Sequence, residues 1–183
     1  DEKIASVLSF SQADEGVIVS PDIELFRELK LRMLNGTHTL SCGLAYLSGF
    51  ETVKSAMDDK KLSEYIDQVM CKEIALAIPY PVAENIALDF ARKVIDRFKN
   101  PYIKHLWINI TQQYSAKMKM RVIPILLQHY KTFNTVPDHI ALGFAGYLQF
   151  MRVNKKENGQ YFGNFNNHEY QIGDDQADYF YQK

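Results

Sequence analysis

The stretch KLRMLNGTH, Lys30 to His38, sets a lysine, an asparagine and a histidine among leucines, and the fold turns on how it is read. At about 100° per residue, a helix with Lys30 at zero places His38 at about 80° and Asn35 at about 140°, with Leu34 and Leu31 interleaved at about 40° and about 100°. The polar trio shares an apolar sector and is not a solvated stripe. Unpaired burial costs about 1–3 kcal/mol per polar group, so these side chains must meet each other, other elements or a ligand. Burial favours the neutral amine of a lysine and so suits Lys30 to act as a general base, while Asn35 and His38 can hold and polarise a hydroxyl or carbonyl oxygen. Gly36 permits close approach of a substrate or of another backbone. Geometry alone leaves a second reading open: a snorkelling Lys30, an Asn35 packed at a kink and a satisfied core histidine at 38.

Outward from this stretch the helical pattern continues in both directions. Ser20, Pro21, Asp22 and Glu24 form a cap, a first-turn proline and early acids, so a helix is predicted from Ser20 to about Leu47, closing near Ser48 and Gly49, with a kink near Gly36 or Gly43. Helices follow at Thr52 to Met57, at Lys61 to Ala77 before Pro79 to Pro81, and at Val82 to Phe98. Asn100-Pro101 repeats the cap-plus-proline signal and predicts a helix through Trp107 towards Gln113. Two more are predicted at Ser115 to Phe133 and Pro137 to Met151.

The two ends read differently. The first twenty residues mix a short helix or strand, a turn at Asp14 to Gly16 and an extended GVIVS. After Arg152 the rhythm is lost: Asn158-Gly159 and Asn166-Asn167 turns separate short aromatic pieces, predicting a small hairpin before a last short helix capped at Asp174-Asp175. The fold class is mainly α with a little β, in one domain, since 183 residues support a single core.

A net charge of −1 gives no electrostatic reason to expect nucleic acid or an anionic membrane as partner. No run approaches the roughly 18 apolar residues of a membrane helix, and no basic-then-apolar leader opens the chain. Cys42 and Cys71 lack CxxC or CxxxH neighbours, and His129 and His139 lack metal-ligand spacing, so no metal is expected and a reduced, cytoplasmic setting is. Trp107 reads as core, and the tail aromatics from Tyr161 to Tyr181 read as a cover over it. A chain that opens on Asp1 reads as a fragment of something longer.

KxRxLNGxH, formed by Lys30, Arg32, Leu34, Asn35, Gly36 and His38, resembles the signature of the polyol-specific long-chain dehydrogenases, the family of mannitol 2-dehydrogenase, fructuronate reductase and tagaturonate reductase. RFKNPYIKH and KMRVIPILL fall in the order and approximate spacing of that family's C-terminal domain, and the likeness covers most of Asp22 to Arg152. NGTHT and NPYIKH look most like the tagaturonate reductase (altronate oxidoreductase) branch.

The resemblance implies a multi-helix domain of the 6-phosphogluconate dehydrogenase C-terminal type, spanning residues 21–183. Residues 1–20 would then lead in from an N-terminal Rossmann domain that binds NAD. It also implies that Lys30 is the catalytic acid/base and that Asn35 and His38 bind the reacting oxygen of a sugar-acid or polyol substrate. A sugar acid needs a cationic partner for its carboxylate. Lys104 and His105 are the first candidates, because family members use a basic residue in this region, and Lys117 and Arg121 follow, although charge runs of this kind usually face solvent. Arg32 points about 200° round the wheel and reads as structural, in an ion pair. No dinucleotide fingerprint occurs in the chain, so alone it is expected neither to bind NAD well nor to turn over. Outside this family, the same pattern would serve a non-catalytic helical binding module.

Overall fold

The computed structural model describes residues 2–8, 13–14 and 16–181 as a mainly helical domain that closes on a small antiparallel sheet. Helix α1 covers Glu2–Val7, and the segment after Gly16, extended by composition, joins no sheet. Ser20 bonds only locally to Asp22. Asp22 instead receives the Glu24 amide at 2.8 Å, so the long helix α2 starts at Glu24, later than its sequence signal. It runs over residues 24–47 in three parts: α-helical Glu24–Leu29, a π-helical turn Lys30–Gly36 and α-helical Thr37–Leu47. The predicted kink is therefore a widened turn, and α2 stops as expected at Gly49, whose φ of 90° suits glycine.

Helix α3, Val53–Asp58, opens on a capping box between Thr52 and Ser55. Helix α4 spans residues 60–74, capped by Asp59 and ending in a second π turn, Val69–Ile74. Helix α5 is Glu84–Phe98. NPYIKH is not helical, against expectation. The Val53 amide donates to the His105 carbonyl and the Trp107 amide to the Glu51 carbonyl, so tertiary pairing to the start of α3 overrides the local cap signal. Only one turn, α6 at Trp107–Ile110, follows.

Helix α7 covers residues 114–133, with a third π turn at Met118–Val122, and α8 is Asp138–Phe150. The start of α8 has no cap of its own. Buried Glu73 of α4 supplies it, accepting the His139 and Ile140 amides at 2.8 and 2.7 Å. Three strands follow, β1 Lys155–Glu157, β2 Gln160–Phe165 and β3 His168–Ile172, in the order β1-β2-β3, one more than the predicted hairpin. Both two-residue turns hold positive φ, at Asn158-Gly159 and Asn166-Asn167, as their sequences require. Helix α9, Ala177–Tyr181, ends the described chain. Tyr170 stacks on Phe150, so part of the aromatic tail does cover the core, while Tyr179 and Tyr181 remain exposed. No helix among the described residues is long and apolar enough to cross a membrane.

Two contacts fix α2. Where it crosses α8, a Cβ on Gly43 would lie 2.8 Å from the Gly146 carbonyl oxygen, so the backbones touch. Nearer its start, Pro124 in α7 has no N–H for the carbonyl four residues back, that of Met120. Arg32 fills the gap: its Nη1 donates to the Met120 oxygen at 2.7 Å and the Arg121 oxygen at 3.2 Å, and its Nε to Glu28 Oε2 at 2.9 Å. Glu28 and Arg32 are both buried, as the structural reading of Arg32 anticipated. Removing one member of a buried pair leaves the other charge uncompensated, so Arg32→Ala should cost about 3–5 kcal/mol in urea unfolding. A loss under about 1 kcal/mol would show that the pair does not join α2 to α7.

Candidate active site

The π turn alters the geometry inferred from a regular helix. An i→i+5 turn takes in about one residue more than the 3.6 of an α turn, which sets back side chains beyond it by about 100°. His38, beyond the turn, then falls within roughly 20° of Lys30, and Asn35, inside the turn, is set back part of the way toward the same direction. All three line one cleft of ≈ 280 Å³, with Leu34, Val53, Arg97, Phe98, Ile103 and His105. Gly36 faces away, toward Ile125 and Ile74 in the core, so it serves packing and not access to the cleft.

The three polar residues sit at different depths. His38 is buried, its ring flat against Phe98 at 4.2 Å between centroids, with His105 and Trp107 edge-on at 4.9 and 6.0 Å. Its Nε2 is buried without a hydrogen-bond partner. Burial, followed by the nearby His105, Arg121 and Arg97, pushes the His38 pKa down to about 3, so the imidazole is neutral across the physiological range. Asn35 is half-buried. Lys30, expected among desolvating leucines, is exposed at the cleft mouth. Leu31 and Leu34 flank it along the helix, but the residue stays exposed.

The cationic end of the cleft differs from the one anticipated. His105 lines it, its pKa lowered by burial and then by Arg97. Lys104 does not line it and faces Glu51 at 3.4 Å in an exposed pair. The bridge that pins His105 to α3 alternates the two side chains between cleft and solvent. Lys117 donates to the Ile110 carbonyl at 2.9 Å, and Arg121 to Thr39 Oγ1 at 3.3 Å, so both serve helix packing and lie outside the cleft lining. The cation that does line the cleft is Arg97, in the last turn of α5. It lies within the RFKNPYIKH stretch, yet sequence reasoning passed over it, because an arginine near a helix end reads as ordinary dipole compensation.

Among the described residues no group of three or more His, Cys, Asp or Glu gathers as a metal site, and Cys42 and Cys71 are free. Nor do the described residues fit a dinucleotide. Their only sheet is the antiparallel one, and no glycine-rich strand-to-helix turn occurs. The cleft lining carries cations and neutral hydrogen-bonding groups and no carboxylate, which suits a small polar molecule with an anionic group.

The described residues form a helical domain with a polar cleft, and residues 22–177 match the family model described as the mannitol dehydrogenase C-terminal domain. The chain belongs to that family. The altronate oxidoreductase of Yersinia pestis bv. Antiqua (strain Nepal516) is 32% identical to it over 149 residues, 81% of this chain and 30% of the relative. That of Enterobacter sp. (strain 638) is 30% identical over 175 residues, 96% of this chain and 34% of the relative. In fold, the chain is similar to Pseudomonas fluorescens mannitol 2-dehydrogenase, solved as a ternary complex with NAD and D-mannitol. The TM-score is 0.73 at 22% identity, over 88% of this chain and 30% of that one. The chain spans about a third of the length of the curated relatives it matches.

The depth of His38 carries a stability signature. Its folded pKa of about 3 lies below the usual 6.5, so the unfolded state binds more protons between those values and stability falls as pH drops through that window. From this group alone, the protein should be about 2 kcal/mol less stable at pH 5 than at pH 7.5. His38→Gln should flatten that dependence in urea titrations. An equal slope in both proteins would place the acid sensitivity elsewhere.

Proposed function

We propose that this chain is the substrate-side part of an NAD-dependent oxidoreductase that interconverts a keto sugar acid and its alcohol, tagaturonate and altronate. The observation that carries the reading is the convergence of Lys30, Asn35 and His38 on one cleft that Arg97 and His105 also line. Kinship with altronate oxidoreductases at about 30% identity supports the choice of substrate. NAD would supply the hydride chemistry from the part of the enzyme that this chain does not span. Residues 1–20 would be the lead-in to that part and 21–183 the substrate domain.

Within this reading the chain's own residues have distinct tasks. Lys30 takes the proton of the substrate hydroxyl during oxidation and returns one to the carbonyl oxygen during reduction. Its exposure in this chain means that any desolvation that tunes it comes from the cover the whole enzyme adds. Asn35 and neutral His38 donate to the oxygen as negative charge grows there, and a neutral donor does this at every pH where the fold survives. Arg97 offers a two-pronged partner to the carboxylate.

The fold likeness to a mannitol 2-dehydrogenase supports the runner-up, a fructuronate reductase or mannitol dehydrogenase. Exposure of Lys30 supports a non-catalytic helical module instead. A panel of tagaturonate, fructuronate and fructose, read by NADH oxidation with the full-length enzyme, separates these. Tagaturonate should be turned over best, and Lys30→Ala should lower kcat by about 10²–10⁴-fold. Unchanged turnover in that variant would remove Lys30 as the acid/base. Arg97→Leu should raise KM for the uronates by about 10-fold or more, with little effect on fructose. An equal effect on all three substrates would deny Arg97 the carboxylate.

A further inference from the structure

Phe98 was no part of the sequence-based site, yet it makes the closest ring contact of the cleft. Its ring is 3% exposed and lies parallel to the His38 imidazole, with centroids 4.2 Å apart and planes 5° apart. His105 and Trp107 meet the same imidazole edge-on, at 86° and 85°. An imidazole with Phe98 flat against one face and two more rings packed at right angles to it cannot turn about its Cβ–Cγ bond without displacing Phe98. We propose that Phe98 is a positioning residue for the reaction, setting the plane in which His38 meets the reacting oxygen and shielding that ring from water. This rests on the role given to His38 above.

The charges around His38 agree with such a role. Lys30 lies on its own helix, Arg97 on α5, His105 on the loop before α6 and Arg121 on α7, and none of the cleft-lining residues is acidic. The face of a phenyl ring would attract an imidazolium. Here the burial that the ring imposes and the surrounding cations oppose one, so the neutral donor persists. Phe98 is the last residue of α5 and adjoins Arg97, so one helix end delivers both the positioning ring and the cleft cation.

Phe98→Leu keeps an apolar side chain but removes the flat face. In the full-length enzyme it should lower kcat for ketone reduction by about 10-fold with KM nearly unchanged, since alignment is needed most in the transition state. It should also add an acid limb to the pH profile below about pH 6, as a less sheltered His38 becomes able to protonate. Phe98→Tyr should restore the wild-type profile. A residue that only fills the core would lower thermal stability without adding that limb. NMR of the histidine ring protons in the wild-type enzyme needs neither variant nor turnover: His38 should resonate upfield, under the ring current of Phe98. A folded Phe98→Leu enzyme with wild-type kcat and pH profile would overturn the proposal, as would a wild-type His38 without the upfield shift. If the full-length enzyme oxidised NADH with none of the three ketones, the dehydrogenase reading would fall while the ring-proton result still reported on the stack.

Discussion

The site depends on one buried arginine. Pro124 deprives the Met120 carbonyl of its helical partner, and Arg32 reaches across from α2 to satisfy it while paired to Glu28 on its own helix. A buried charge pair is weak evidence of net stability, because desolvation offsets most of its attraction. What it provides is register: the guanidinium makes its bonds to α7 in a narrow range of positions along α2. Lys30 and Asn35 lie two residues before and three after Arg32, inside the same π turn, so fixing the arginine fixes where they emerge. The widened turns of α2 and α7 face each other across this contact, and each carries groups that a regular helix would have placed elsewhere.

A gradient of depth follows from that placement. His38, one turn further on, enters the aromatic wall of Phe98 and Trp107 and loses its ability to charge, Asn35 is partly covered, and Lys30 stays in the open. For chemistry at a carbonyl oxygen this order is sensible. The donor that must never change protonation is deepest, and the group that must exchange a proton is nearest to the outside. Arg97 and His105 come from different elements, the end of α5 and the loop it feeds, and the pairing of that loop with the start of α3 holds His105.

Much of this was legible in the sequence. Hydrophobic periodicity located the long helices, Gly49 marked the end of α2, and the Asn158-Gly159 and Asn166-Asn167 pairs announced turns that only positive φ can make. What escaped had specific causes. A wheel with 3.6 residues per turn cannot represent a π turn, so Asn35 was placed too far from Lys30. The cap signal of Asn100-Pro101 is local, whereas the geometry of NPYIKH is decided by backbone bonds to Glu51 and Val53, about fifty residues earlier in the sequence. Lys104, a candidate on family likeness alone, faces Glu51, while Arg97 in the last turn of α5 lines the cleft. Burial of Lys30 was inferred from flanking leucines, but flanking residues on one helix do not make a cover.

The central claim is that one sugar acid sits in this cleft with its reacting oxygen on Lys30, Asn35 and His38 and its carboxylate on Arg97. The most direct measurement is a crystal structure of the full-length enzyme with the keto sugar acid bound. The account predicts the ketone oxygen within hydrogen-bond reach of Lys30 Nζ and of the Asn35 and His38 side chains, with the carboxylate on Arg97. A ligand seated elsewhere, or seated in the cleft with its carboxylate toward Lys30, would contradict it.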